Sequence, residues 1–181
     1  MDWSYAERYR LRSMLHVLNI KLREKVREEL GGTYHVSVYP ELSHFPYPNY
    51  QINVVFNCAP SQVESLKVAV KGEIENMKTS LVEPIYIEKT KEQQLRQRET
   101  SLKENGFWHY ILQFYEVHEE NPEILLAYTD IVNALNSHAI MQAAKDFHGT
   151  PNRVVCTLNP ESEMKEAGVK EESEALLPLT Q

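Results

Sequence analysis

Residues 50–58, YQINVVFNC, alternate between apolar and polar side chains. A repeat of two residues is the period of a β-strand, in which successive side chains point to opposite faces of a sheet. The apolar members are Tyr50, Ile52, Val54, Phe56 and Cys58. A second stretch, TYHVSVY at residues 33–39, alternates similarly, with Tyr34 in phase with Val36 and Val38. The two stretches predict strands that bury one face and leave the other to water or a cavity.

The chain between these strands, PELSHFPYPN at residues 40–49, is punctuated by prolines and predicts an antiparallel hairpin with a long tip. A long helix is expected before the hairpin, from about Tyr5 to Leu30, because apolar residues recur there at three- and four-residue steps. The apolar stripe consists of Leu11, Met14, Leu15, Leu18, Leu22 and Val26. Gly31 and Gly32 should end this helix, because glycine readily takes the left-handed conformation of a helix end.

The rest of the chain predicts further helices and one more strand. Pro60 opens the first of these helices, since proline is pre-organised for a first turn, and Ser137 can cap the last. The predicted helices cover about residues 60–77, 88–103, 107–117, 124–128 and 138–147, and the strand covers residues 152–160. This order predicts an α+β domain with an antiparallel sheet. Three strands are few for so many helices, so we expect the chain to be part of something larger.

The length, charge and cysteine content of the chain limit the classes of function that it can have. A length of 181 residues fits one domain with its own core. The net charge of −7, with no clustered basic stretch, argues against a nucleic-acid partner, whose phosphates would need cations. No stretch is apolar for long enough to predict a membrane span. Cys58 and Cys156 fall in strand-like stretches, which fits buried thiols, although a single disulfide stays open.

A search for catalytic motifs finds little. The seven histidines include no pair four residues apart, so neither HExxH nor the inverted HxxEH zinc motif is present. Two glutamates follow His118, where a solvated helix end is favoured over a metal ligand. His35 lies on the polar strand face, where a surface hydrogen bond is expected. The aromatic residues of 107–115 have helical spacing, which favours core packing over a ligand platform.

Arg27 and Tyr34 stand at the corner between the first helix and the first strand. Each has an ordinary structural explanation. A cation in the last turn of a helix is favoured by the helix dipole and the free carbonyl groups, and Glu24 or Glu28 could pair with it. Tyr34 alternates in phase with Val36, so its ring could belong to the core. Residue type alone favours these explanations over a functional site.

The order of elements and motifs around Arg27 and Tyr34 favours a functional site over the structural explanations. The sequence contains, in order, a helix, REELGGTY at 27–34, a strand, a loop, INVVFNC at 52–58 and a proline-started helix. This order of elements and motifs resembles the second half-domain of the insulinase/pitrilysin family of zinc peptidases. The resemblance continues through NGFW at 105–108 and extends over about Ser4–Pro160. It implies a pitrilysin/LuxS-like half-domain, an antiparallel sheet packed on one face by helices. The strands that precede the first helix in that family are missing, so we expect a piece of a longer peptidase.

In that family one domain carries the zinc, and a later, metal-free domain supplies an arginine and a tyrosine from across the chamber that holds the peptide. The resemblance assigns these roles to Arg27 and Tyr34. A guanidinium offers a fixed set of donors to peptide carbonyl groups. A tyrosine hydroxyl can donate to the oxyanion that develops when zinc-bound water attacks the scissile carbonyl.

The resemblance also implies partners. Residues 1–160 would form a C-terminal substrate-binding domain and residues 161–181 an acidic, flexible tail. The expected partners are a peptide or protein substrate and an upstream domain that carries the zinc; the chain itself would hold no metal and would not cleave alone. A bacterial periplasm or cell envelope is a common location for such peptidases. An exposed sheet edge could also lead to self-association.

Two other interpretations remain open. The chain could be a catalytically inactive interaction or scaffold subunit of the same fold, in which Arg27 and Tyr34 would be structural residues. An HxxEH motif elsewhere in the same gene would distinguish the two cases. The chain could also be an unrelated α+β binding module whose corner happens to match.

Overall fold

A computed structural model of the chain describes residues 3–29, 31, 35–149 and 152–159, without the side chains of residues 27–29. The strands are β1 (Val36–Ser43) and β2 (Asn49–Phe56). The α-helices are α1 (Tyr5–Leu22), α2 (Val63–Thr79), α3 (Pro84–Ser101), α4 (Asn105–Val117), α5 (Tyr128–Asn133) and α6 (Ser137–His148). A π-helical segment, Arg23–Glu29, follows α1, and 3-10 turns span Pro60–Gln62 and Pro122–Leu125. This is the predicted α+β fold.

Helix α1 is the centre of the core. The hydroxyl of Ser4 caps its start by accepting a hydrogen bond from the backbone N–H of Glu7 at 3.2 Å. The predicted apolar stripe is confirmed, because each of its members is at most 2% exposed. The predicted long helix is confirmed from Tyr5 to Glu29, with its last residues, Arg23–Glu29, in the π-helical segment; Leu30 lies outside the described residues. Val26 remains fully buried within that segment.

Strands β1 and β2 form the predicted antiparallel hairpin, with Val36 opposite Phe56 and Ser43 opposite Asn49. The predicted long tip is wrong, because β1 continues through Pro40 and only residues 44–48 make the turn. Proline is tolerated there since β1 pairs with one described strand only, and its missing N–H can lie on the unpaired edge.

One face of the hairpin packs on the helices, as the alternation predicts. Val36 is 1% exposed. The other residues of this face that pack against the core are Val38, Leu42, Tyr50, Ile52, Val54, Phe56 and Cys58. The prediction of two buried thiols holds in part, because Cys58 packs on the core whereas Cys156 is exposed; both are free thiols.

Two helix starts differ from the sequence prediction. Helix α3 begins at Pro84 rather than near residue 88, because proline is favoured in a first turn, where its missing N–H is not needed. The cap of α6 is Asn136 rather than Ser137, since the Asn136 side chain accepts from the N–H of Ala139 at 3.0 Å. Ser137 instead donates to the carbonyl oxygen of Val82 at 2.7 Å.

The predicted third strand is wrong for the part of it that the structure describes. Residues 152–159 contain no strand and are exposed, and they belong to a second unit of the chain that begins after Pro151. A strand forms only where another strand supplies hydrogen bonds, and alternation along one segment carries no information about such a neighbour. In the described helices, no segment has the length and apolar character of a membrane span.

We expect Leu18→Ala to lower the free energy of unfolding by about 2–5 kcal/mol, because it leaves a cavity in a packed core. Leu18 is fully buried, whereas Leu126 is 88% exposed. The matched control Leu126→Ala should therefore change stability by no more than about 0.5 kcal/mol. Urea unfolding of the three proteins measures both values, and equal effects of the two substitutions would contradict this account of the core.

Candidate functional site

The corner between α1 and β1 holds the two residues singled out from the sequence. Arg27 lies in the π-helical segment, but its side chain is outside the described part of the structure, and so is Tyr34 as a whole. Gly31 has φ +59°, so the predicted left-handed glycine after the helix is confirmed. The convergence of Arg27 and Tyr34 on one cavity stays a prediction.

Glu24, one of the two carboxylates considered as partners of Arg27, is engaged by α3. The Tyr86 hydroxyl donates to one of its oxygens, and Lys89 Nζ donates to the other at 3.2 Å. The hydrogen bond from Tyr86 holds the pKa of Glu24 below its ordinary value and raises the pKa of Tyr86 to about 12. Glu24 therefore anchors the π-helical segment to α3.

The hairpin has an open face, made by the residues that alternate with its buried ones. Tyr39 and Val55 on this face are 43% and 49% exposed. The cross-strand pairs of the open face are Ser37 with Val55, Tyr39 with Asn53 and Glu41 with Gln51. An exposed ring thus sits among amide, hydroxyl and carboxylate groups, a mixture suited to binding a polar chain with apolar side chains.

Two amide side chains on β2 give this face unfilled hydrogen-bonding capacity. Gln51 Nε2 donates to Asn53 Oδ1 at 2.7 Å. The Asn53 Nδ2 atom is buried and has no hydrogen-bond partner among the described residues. A buried donor without an acceptor is unfavourable, so a rotation of the Asn53 amide that let Nδ2 meet an acceptor at the surface would be favoured.

His35 and Ser37 lie at the end of the open face nearest the corner. Ser37 Oγ and His35 Nε2 are 2.6 Å apart. The surface hydrogen bond expected for His35 is thus confirmed. Its partner was missed from the sequence, although a spacing of two residues on a strand, which places both on one face, was the available signal.

A second polar and aromatic region lies at the hairpin tip. His44 Nδ1 and His118 Nδ1 are 2.8 Å apart, and Trp3 stacks on His44 with ring centroids 4.5 Å apart. Arg8 is 3% exposed and makes a two-pronged ion pair with Glu120, with N–O distances of 2.7 and 2.6 Å. The tip of the hairpin is thereby held against the start of α1 and the end of α4.

This region changes two expectations. His118 follows the end of α4, as predicted, but it is partly buried within the cluster rather than freely solvated. The expectation of core packing for the α4 aromatics holds for Tyr115, which is 3% exposed, and fails for Trp108 and Tyr110, which are 40% and 58% exposed. In the described part of the chain, no three His, Cys, Asp or Glu side chains converge to hold a metal ion.

Comparisons with known proteins identify the fold. No family model matches the chain, and no curated protein matches it. The periplasmic protease PqqL of Escherichia coli superimposes with a TM-score of 0.65 and 13% identity, over 80% of this chain and 16% of that chain. A conserved protein of Enterococcus faecalis V583 gives a TM-score of 0.68 and 19% identity, over 80% of this chain and 34% of that chain.

A third similar structure is the E83A mutant of the ferredoxin protease FusC in complex with Arabidopsis ferredoxin. Its TM-score is 0.63 at 15% identity, over 78% of this chain and 16% of that chain. These neighbours share the α+β fold of this chain over about four fifths of its length, and at such identities they show the fold alone. The chain spans between 16% and 34% of their lengths.

We expect stability to fall as the pH drops below the ordinary pKa of histidine. Burial lowers the pKa of His118, helped by His44 and Arg8 and opposed by Glu120, and burial also lowers the pKa of His16. The unfolded chain then binds more protons than the folded one in this pH range, so acid favours unfolding. Thermal unfolding followed by circular dichroism between pH 7.5 and pH 5 measures the slope.

His118→Asn should flatten part of this slope, because asparagine does not titrate and its amide can take the place of Nδ1. The matched control His109→Asn changes an exposed residue of the same helix and should keep the wild-type slope. A slope that is the same in all three proteins would show that His118 makes no contribution.

Proposed function

We propose that this chain is the metal-free, peptide-binding half-domain of a zinc peptidase with the insulinase/pitrilysin fold. The observation that carries the proposal is the open face of the hairpin, which ends at the corner where the sequence places Arg27 and Tyr34. The protease names of two of the structural neighbours support it. Because the chain spans a small share of each neighbour, the activity belongs to a larger assembly of domains.

The open face suits an extended peptide. Such a peptide carries a carbonyl and an N–H at each residue, and Gln51 and Asn53 offer amide groups of both kinds. The unpartnered Nδ2 of Asn53 is covered in the free chain, and it would donate to a peptide carbonyl after the amide turns outward. The exposed ring of Tyr39 can cover an apolar side chain of the peptide, a role in which tyrosine is often important. The outer edges of the hairpin have no strand neighbour among the described residues and could align a peptide backbone.

Arg27 and Tyr34 have separate roles in this proposal. The guanidinium of Arg27 would hold peptide carbonyl groups, and the hydroxyl of Tyr34 would donate to the oxyanion as the scissile carbonyl is attacked. In this proposal zinc would be held by another domain, as the family resemblance implies, and would activate water there. The contribution of this chain is to bind and orient the peptide.

Two features of the structural neighbours extend the proposal to the substrate and to the cellular location. The FusC structure contains ferredoxin, and PqqL is a periplasmic protease. We infer a protein or peptide substrate for this chain, and a bacterial periplasm or envelope as its location. Detecting the full-length protein in periplasmic or cytoplasmic fractions of its host tests the location directly.

Binding can be tested on the chain itself. A fluorescein-labelled casein peptide should bind the wild-type chain in fluorescence anisotropy, and Tyr39→Ala and Asn53→Ala should each weaken binding about five- to tenfold, or roughly 1–1.4 kcal/mol. The control Val68→Ala removes a residue of α2 that is 69% exposed, and it should bind like the wild type. Equal affinity in all four proteins would show that the peptide does not use the open face.

Catalysis must be tested in the complete peptidase. Tyr34→Phe should lower kcat about 100-fold, the usual cost of losing an oxyanion donor. Arg27→Ala should lower kcat/KM about tenfold or more, because a hydrogen bond from a charged group contributes about 1.5–3 kcal/mol. The control Arg23→Ala changes an exposed arginine of the same segment and should leave turnover intact. Unchanged turnover in both variants would remove the assignment, and a full-length protein without HxxEH and without turnover would favour the inactive scaffold.

A further inference from the structure

Two cavities of about 270 and 420 Å³ lie beside α1, and the larger one includes Ser43 at the end of the open hairpin face but neither Tyr39 nor Asn53. The larger one reaches the hairpin tip, and the smaller one reaches α3 and α5. The side chains that line both are Arg8, Arg12, Tyr110 and Phe114. These volumes are at the lower end for ligand sites, so together they fit a small molecule of one or two rings.

The lining of both cavities is aromatic and basic. Tyrosine rings line the smaller cavity, namely Tyr5, Tyr9, Tyr110, Tyr115 and Tyr128. Among the described residues, neither cavity has an Asp or Glu in its lining. Arg8 and Arg12 line both cavities, and the carboxylate of Glu120 is paired with Arg8 beside them.

Arg8 and Arg12 differ in whether a carboxylate of the described residues already neutralises their charge. Arg8 is neutralised by Glu120 and lies over the rings of Trp3 and Phe114, at 4.8 and 5.0 Å from their centroids. Arg12 is exposed, and within the described residues it makes no ion pair or hydrogen bond. A guanidinium presents five N–H donors in a fixed fork that matches a carboxylate. Arg12 is therefore the cation available to a bound anion.

Trp3, which lines the larger cavity, carries a second donor without a described partner. The indole Nε1 of Trp3 is buried and has no hydrogen-bond acceptor among the described residues. Buried N–H groups are normally paired. The Tyr5 hydroxyl stays a donor as well, since burial beside other tyrosines raises its pKa to about 12. Arg12, Tyr5 and Trp3 thus bring hydrogen-bond donors to the lining of the cavities.

We propose that these cavities bind a small aromatic carboxylate, with its carboxylate on Arg12 and its ring among the tyrosines. The charge of Arg12 selects an anion, and the rings select a flat apolar body. This site includes neither Tyr39 nor Asn53 of the open hairpin face, and it stands whether or not that face binds peptide.

The test uses phenylacetate as the probe and phenylacetamide, its uncharged counterpart, as the matched ligand. We expect phenylacetate to bind with a millimolar or lower Kd in NMR titrations, with shifts at Tyr110 and Phe114, and phenylacetamide to bind at least tenfold more weakly. Raising the salt concentration should also weaken phenylacetate binding, because the pairing is electrostatic and Arg12 is exposed.

Variants locate the site. Arg12→Gln should weaken phenylacetate binding at least tenfold, and Trp3→Phe, which keeps a ring but removes the N–H, should weaken it several-fold. The control Arg96→Gln changes an exposed arginine of α3 outside both cavities and should bind within twofold of the wild type. Equal binding of the two ligands, full binding by Arg12→Gln, or no binding by the wild type would each overturn the proposal.

Discussion

The apolar stripe of α1 can leave water only by packing on other elements, and the arrangement of the rest of the chain follows from this. The stripe lies against the apolar face of the hairpin and against α2 and α6, where Leu66, Ile140 and Phe147 complete the core. Burying one leucine side chain contributes about 1.5–3 kcal/mol, so a register that exposed this stripe would be strongly unfavourable. Because the helices cover one face of the hairpin, its other face remains open.

The buried Arg8–Glu120 pair is the second constraint. Its partners are 112 residues apart, and they join the start of α1 to the end of α4. A buried guanidinium without a partner would be costly, so the pair constrains how these elements meet more than it adds to net stability. The same contact neutralises Arg8, whereas Arg12, one turn further along α1, has no carboxylate partner among the described residues.

The open hairpin face and the cavities beside α1 can be altered independently. Tyr39 and Asn53 project from the hairpin and take no part in the cavities, and Arg12 and Trp3 line the cavities and take no part in the open face. Under the two proposals, a peptide would meet amide groups and one ring on the first surface, and an anion would meet a guanidinium and several rings on the second. Loss of one proposed function therefore need not disturb the other.

Local periodicity predicted much of the fold. The α1 stripe, the phase of β2 and the glycine at the helix end depend on neighbouring residues, so the α+β class and the open hairpin face could be inferred from the sequence. The long hairpin tip and the third strand were predicted wrongly, because pairing with another strand is a property of two segments and not of one. The helix that the sequence predicts to about Leu30 continues to Glu29, but its last seven residues are π-helical, and the structure offers no physical reason for this form.

Amino-acid order alone thus determined which faces of α1, α2 and the hairpin are apolar, since a period of 3.6 or 2 residues places side chains on faces before any packing occurs. Only the tertiary structure decided that His44 meets His118, that Arg8 meets Glu120 and that Arg12 faces tyrosines from other helices. These contacts join residues far apart in the chain, and their geometry depends on how whole elements pack.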